Sequence, residues 1–415
     1  MTAKLSFADV RAHLLAGDEI ALVDVREEHP FAQAHPLWAA NLPLARIELD
    51  AWRRIPRRDT LIVVYGEHEG ADLAPLATER LATLGYTRVH LLDGGLEGWR
   101  QAGGELFRDV NVPSKAFGEL VEHERHTPSL PAEEVKALID SKADVVVLDA
   151  RRFDEYQTMS IPGATSVPGA ELALRVRELA PDPATRVIVN CAGRTRSIIG
   201  TQSLVNAGIP NPVAALRNGT IGWKLAGQVL DHGASRRAPE VGEAHRAEAR
   251  TAAEAVARRA GVRWIEAEAI DALEAPGRTV YRFDVRTPEE YEAGHLPRFA
   301  NVPGGQLVQE TDHSVPVRGA RIVLADDDGV RAPMTASWLA QMGWEVYVLA
   351  PQPALAYSER GATLAAQPAT PATGRYRRPY EGTDAPAEAM QAYLDWEFGL
   401  IAQLGRDGTH GFKVL

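Results

Sequence analysis

Cysteine is almost absent from the chain, with one residue, Cys191, among 415. A single thiol excludes an internal disulfide and any metal site built from clustered cysteines. It also leaves no second thiol to resolve a covalent adduct, so whatever Cys191 acquires must pass to another molecule. No apolar run approaches the roughly 20 residues of a membrane-crossing helix. The start, Met1 to Leu5, lacks the apolar core and cleavage site of a signal peptide. The expectation is a cytoplasmic protein without membrane contact. Excess positive charge is missing too: 45 Lys and Arg against 56 Asp and Glu give a net charge of −11. That balance argues against general nucleic-acid binding. The one basic cluster, Arg53, Arg54, Arg57 and Arg58, reads as a solvated face or loop. The twelve histidines show no metal-ligand spacing, and no metal is assigned.

What the chain has instead is repetition. Its length exceeds one core and suggests two to four domains, while 45% apolar and 24% charged residues are ordinary for a globular protein. Three apolar runs end in Asp24-Val25-Arg26, Asp149-Ala150-Arg151 and Asp284-Val285-Arg286. Each leads into an acidic turn of helix carrying Phe31, Tyr156 or Tyr291, then a loop bounded by two prolines. A second apolar run follows, and 42 residues after each lead aspartate stand Gly66, Cys191 and Asp326. Chance does not readily return one spacing three times. Copies one and two close on a Gly-x-x-Gly-Trp turn, Gly95 to Trp99 and Gly219 to Trp223, which copy three lacks.

Short strands alternating with helices predict an α/β fold. The expected architecture is three tandem domains, each a mainly parallel sheet flanked by helices, plus a C-terminal helical tail. The boundaries are 1–112, a polar connector 113–129, 130–235, a solvated linker helix 236–261, 262–366, and a tail 367–415. In the tail, the stretch with Pro368, Pro371 and Gly374 reads as irregular. Pro386 to Leu404 reads as one helix with Met390, Tyr393, Leu394, Phe398 and Ile401 on an apolar stripe that packs against a domain.

Cys191 ends the run Val187-Ile188-Val189-Asn190 and opens the loop Ala192-Gly193-Arg194-Thr195-Arg196, before Ser197 and an apolar helix. A cysteine there meets backbone N–H groups and the positive end of a helix dipole, which favour a thiolate. Gly193 lets the loop curl so that successive N–H groups point inward. The arginines can fork onto an oxyanion. These features make Cys191 a candidate nucleophile. Gly66 and Asp326 cannot play that part, so domains one and three are expected to be inactive.

The Asp-x-Arg…Glu-Tyr entry, the cysteine loop with its trailing Arg-Ser and the Gly-x-x-Gly-Trp turn occur in register. On these residues the chain resembles the tandem rhodaneses, multi-domain sulfurtransferases, over about residues 5–365. The resemblance implies that Cys191 accepts a sulfane sulfur as a persulfide, with no other cofactor. It implies that Ala192 to Arg196 form the cradle, with Arg196 closing the loop and Arg194 a candidate contact for an anionic donor such as thiosulfate. Asp149, Arg151 and Glu155 would do structural work behind the loop, beside Ser197, and Trp223 would be a core or pocket wall. The implied partners are a small sulfur donor and a cyanide or thiol acceptor, with a homodimer or a sulfur-relay protein as further partners to test.

Two rival readings stay open. Phosphatases and arsenate reductases of this fold use a Cys-x5-Arg loop, whereas Arg196 is the fifth residue after Cys191, giving Cys-x4-Arg. The shorter loop suits a sulfur atom better than a tetrahedral phosphate, and no aspartate is recognisable as the general acid. A non-enzymatic scaffold is the other reading, since two copies lack the nucleophile.

Overall fold

The computed structural model describes residues 3–68, 70–274, 277–351, 357–361 and 375–415. The β-branched runs form the central strands of three sheets, each of five parallel strands and of identical topology. The cysteine-loop module, second in the chain, orders its strands Ser129–Leu130, Val213–Leu216, Arg186–Asn190, Val145–Asp149, Thr165–Ser166. Helices cover the faces, as parallel sheets require.

The register explains the recurring spacing. Asp24 pairs with Tyr65, Asp149 with Asn190 and Asp284 with Ala325. In each copy the lead aspartate and its partner end adjacent strands. The residue 42 beyond the aspartate is therefore the first one past the central strand.

The copies are less separate than a string of domains. The largest apolar core joins modules one and three, with Ile62 and Val64 in the same cluster as Ile322, Leu324 and Leu339. Trp338 of module three donates its indole N–H to Ser203 Oγ of module two at 2.8 Å.

Three expectations about the segments between and after the modules are corrected. The connector is not a polar spacer: Val112–Arg125 is a helix that buries Val112, Lys115, Phe117 and Glu119. It crosses the helix Thr195–Asn206 at Gly118, where a Cβ would lie 3.0 Å from Thr195 Cγ2. The linker helix Glu243–Arg259 is solvated on one face only, with Ala249, Ala253, Val256 and Ala257 buried. Small residues at helical spacing let it wedge between the helices Leu172–Leu179 and Arg331–Gln341.

The tail is two helices, Ala387–Phe398 and Leu400–Asp407, broken at Gly399. Met390, Tyr393 and Leu394 are buried as the stripe predicts, whereas Phe398 is 53% exposed. The irregular stretch with Pro368, Pro371 and Gly374 lies outside the described residues, as do residues 362–366 of the third module. The tail bridges modules: Gln403 donates to Leu106 O at 3.0 Å, and Met390, Tyr393 and Leu394 pack on Ala192 and Ile221.

Candidate active site

Cys191 is the first residue past the strand Arg186–Asn190, at the C-terminal edge of the sheet, where open parallel folds bind ligands. The loop it opens is held from outside by the next turn of chain. Cys191 O accepts the Thr220 N–H at 2.9 Å, and Ala192 O accepts the Ile221 N–H at 3.0 Å and Thr220 Oγ1 at 3.1 Å. Gly219 allows this approach: its φ is +56°, and a Cβ would lie 2.3 Å from Cys191 O and 2.7 Å from Gly193 O. The Gly-x-x-Gly-Trp turn is thus the clasp of the loop. Trp223 is fully buried beneath it, donating to Val229 O at 2.8 Å.

Holding the loop by its carbonyls leaves its N–H groups free. Among the described residues, the backbone N–H groups of Ala192, Gly193, Arg194, Thr195 and Arg196 donate to no protein acceptor.

The candidate supporting residues pair with one another at the base of the loop. Arg151 forks onto Asp149 at 2.9 and 2.7 Å, and Asn190 Nδ2 donates to the same carboxylate at 3.0 Å. This buried unit ties the ends of the two central strands together. Arg196 forks onto Glu155 at 2.7 and 2.9 Å. Burial pulls the Glu155 carboxyl upward, but the charge and hydrogen bonds of Arg196 win and bring it down to about 2. Ser197 Oγ donates to Arg194 O at 2.8 Å, fixing the start of the helix.

Two expectations change here. Arg194 is not available as a donor clamp. Its Nε and Nη2 donate to Glu119 at 2.7 and 2.9 Å, Nη2 also meets Glu122, Nη1 reaches Asn218 Oδ1 at 3.1 Å, and Phe398 covers the guanidinium. It anchors the connector helix and the tail to the loop. Burial also acts against the thiolate that the loop's donors favour. Cys191 is 1% exposed, and burial pushes its thiol up; Arg196 and Ser197 recover only part of the rise, and Glu397 adds to it. The thiol donates to Ser197 Oγ at 3.4 Å.

The missed residues come from the connector and the tail. Glu397 is fully buried, accepts Tyr393 O–H at 2.8 Å and lies 3.5 Å from Thr195 Oγ1. Lys115 is buried against Asp109 at 2.7 Å, within cation–π distance of Tyr380, Tyr393 and Trp396. The readable signal was Glu397 itself, an acid on the stripe of Met390, Tyr393 and Leu394. Beside the Arg196–Glu155 pair a polar cavity of about 290 Å³ opens between modules two and three and the tail, lined by Arg151, Arg152, Glu155, Gln309, Arg378 and Tyr380.

The Rhodanese-like domain matches the sequence three times, over residues 6–102, 131–226 and 266–350, well over half the chain. The chain belongs to the rhodanese-like family. A crystal structure of thiosulfate sulfurtransferase from Pseudomonas aeruginosa aligns with all of both chains at 55% identity and a TM-score of 0.96. The chain therefore classes with the tandem rhodanese-like sulfurtransferases. A thiosulfate sulfurtransferase of Azotobacter vinelandii is 27% identical over 209 residues, covering 46% of this chain and 76% of that protein. An HTH-type transcriptional regulator of Mycobacterium tuberculosis is 34% identical over 91 residues, but the match spans only 39% of its length.

The other two rhodanese modules have filled or lost the cradle. In module three, Asp326 stands in the cysteine position and its carboxylate accepts the N–H groups of Gly329, Val330 and Ala332 at 3.2, 3.1 and 2.8 Å. Asp328 takes those of Val330 and Arg331 at 2.7 and 2.9 Å. In module one, a two-stranded hairpin, Glu67–His68 with Ala71–Asp72, replaces the loop. Gly66 has no room for a side chain, since a Cβ would lie 2.6 Å from Val25 Cγ2.

Proposed function

We propose that the protein moves a sulfane sulfur from an anionic donor, thiosulfate first, through a Cys191 persulfide to cyanide or a small thiol. The observation that carries this reading is the loop itself: five backbone N–H groups that, among the described residues, donate to no protein acceptor follow the chain's single thiol. Module three shows what this loop does with an acceptor. There the carboxyl oxygens of Asp326, at the cysteine position, accept three of its N–H groups. The 55% identical thiosulfate sulfurtransferase supports thiosulfate as the donor.

Both loop arginines are neutralised by carboxylates, so the backbone N–H groups, rather than an arginine fork, would hold the donor's anionic end. The Cys191 sulfur, once deprotonated, attacks the outer sulfur of the donor. A Cys–S–S bond forms, the bond to the sulfonate sulfur breaks, and sulfite leaves with the electron pair. The N–H groups then stabilise the persulfide anion. An acceptor nucleophile takes the outer sulfur and regenerates Cys191. No second thiol is on the chain to intercept it.

A donor panel tests the reading. Mass spectrometry after thiosulfate treatment should find about 32 Da, one sulfur, added to the wild type and none in Cys191→Ser. No sulfur uptake from any donor leaves the rhodanese modules as a scaffold. Turnover of aryl phosphates without sulfur transfer would reverse the choice of chemistry.

A further inference from the structure

The cysteine loop is roofed by the tail. Cys191, Ala192, Gly193, Arg194 and Thr195 are all buried, and the helix Ala387–Phe398 packs over them. Tyr393 Cε1 lies 3.1 Å from where a Gly193 Cβ would be, Thr195 Oγ1 is 3.5 Å from Glu397 Oε1, and the Phe398 ring lies 4.1 Å from the Arg194 guanidinium. The loop residue that keeps some exposure is Arg196, with 12% of its side chain accessible. Its partner Glu155 lines the polar cavity of about 290 Å³ between modules two and three and the tail.

Two tail tyrosines stand between that cavity and the loop. Tyr393 presses on Gly193, and Tyr380 meets the Tyr393 ring edge to face at 5.3 Å. On its other side Tyr380 is part of the cavity wall. Both rings belong to one apolar cluster with Ala192 and Ile221. They are also held in place. Lys115 Nζ lies 5.1 Å from the Tyr393 centroid and 5.6 Å from that of Tyr380, and Tyr393 O–H donates to Glu397 at 2.8 Å.

We propose that the Tyr380–Tyr393 pair is a size filter: the cavity is the way in, and Tyr380 decides which donors and acceptors pass to the cysteine loop. This rests on Cys191 being the nucleophile. Small ions such as thiosulfate and cyanide pass the rings, whereas a donor carrying an aryl group needs the volume that the rings fill. The cavity adds to the choice, since walls that include Arg152, Glu310 and Arg378 suit a small charged donor and give an aryl group little apolar contact. Thiosulfate and an aryl thiosulfonate present the same outer sulfur to Cys191. Each forms the same Cys–S–S bond, with sulfite leaving in one case and the aryl sulfinate in the other. They differ in what trails behind the sulfur, so the ratio of their rates isolates the wall.

The test is single-turnover persulfide formation by the full-length protein with thiosulfate and with benzenethiosulfonate, read by intact mass. Tyr380→Ala should raise the benzenethiosulfonate-to-thiosulfate rate ratio about tenfold or more, while Tyr380→Phe, which keeps the ring, stays within about twofold of the wild type. An unchanged ratio in Tyr380→Ala overturns the proposal. Val10→Ala loosens the separate core of module one and should leave the ratio alone; an equal rise there assigns the effect to general loosening and overturns the filter as well. Alkylation decides the matter even if Tyr380→Ala fails to fold, because Cys191 is the only thiol on the chain. In the folded wild type the N-pyrenylmaleimide-to-N-ethylmaleimide rate ratio should lie about tenfold or more below its value in the urea-unfolded chain. The same ratio in both states, or one rate shared by both reagents, shows that the sulfur is reached when the tail comes away, and overturns the filter. If neither donor leaves a persulfide, the Cys191 reading fails by itself, and the alkylation ratio still decides on the filter.

Discussion

Arg196 and Glu155 lie 41 residues apart yet meet as a fork, and Arg331 and Glu290 repeat that fork in the third module. The pair closes the cysteine loop against the helix Phe153–Thr158. Glu155→Gln should leave the Arg196 cation largely buried without its counter-charge, costing about 3 kcal/mol. The pH dependence follows in sign. Glu155 is depressed from 4.5 to about 2, so its stabilisation is complete above the ordinary value and is lost as pH falls from 4.5 towards 2. The gap in thermal midpoint between wild type and variant should be full near neutrality and shrink through that window. A constant gap would show that the charge of Glu155 does not matter.

Arg194 should behave as an anchor. Its removal in Arg194→Ala strands Glu119 and Glu122 in a site where Glu119 is already pushed upward by burial. We expect a stability loss of about 3 kcal/mol, with the thiosulfate KM of the folded protein changed by less than about threefold. A large KM rise at unchanged thermal midpoint would return Arg194 to the donor site.

The legible part of this protein was what repeats. The spacing from Asp149 to Cys191 is strand register, and the Asp-x-Arg turn is a fork between neighbours in sequence, so both are written locally. Cys191 stood out because no other thiol competes with it. The cover of its loop was not legible. It is supplied by the tail helix carrying Met390, Tyr393 and Glu397, the last 206 residues away in sequence, which joins the loop only through tertiary packing. Arg194 misled for the same reason: its partners sit on a connector whose polar composition hid a helix with Lys115 and Glu119 turned inward.

Gly219 offers a sharper test of the loop's geometry than any charged residue. An alanine there must adopt φ +56° and place its Cβ against two loop carbonyls. Gly219→Ala should cost about 1–3 kcal/mol and reduce sulfur transfer by more than about tenfold, because the loop itself must shift. Gly227 is the control: its φ is +72°, and nothing lies within 4 Å of a Cβ. Gly227→Ala should show strain of about 1 kcal/mol with activity intact. Equal activity losses in the two variants would mean that backbone strain alone, and not the clasp, controls the loop.

The sister loops allow the cradle to be rebuilt. In a Cys191→Ser background, Gly66→Cys should gain no sulfur, since the new side chain meets Val25 Cγ2 and a hairpin stands where the donors belong. Asp326→Cys places a thiol by the N–H groups of Gly329, Val330 and Ala332, with the Arg331–Glu290 pair intact. Asp328 still occupies the N–H groups of Val330 and Arg331, so this single change should gain little. Asp328 matches Gly193 in the aligned loops, and adding Asp328→Gly removes both the competing acceptor and the like charge that, with burial, holds Asp326 well above the usual carboxylate range. The double variant should be the one that acquires about 32 Da on thiosulfate treatment, read by intact mass. If it stays bare while folded, free N–H groups around a cysteine are not sufficient.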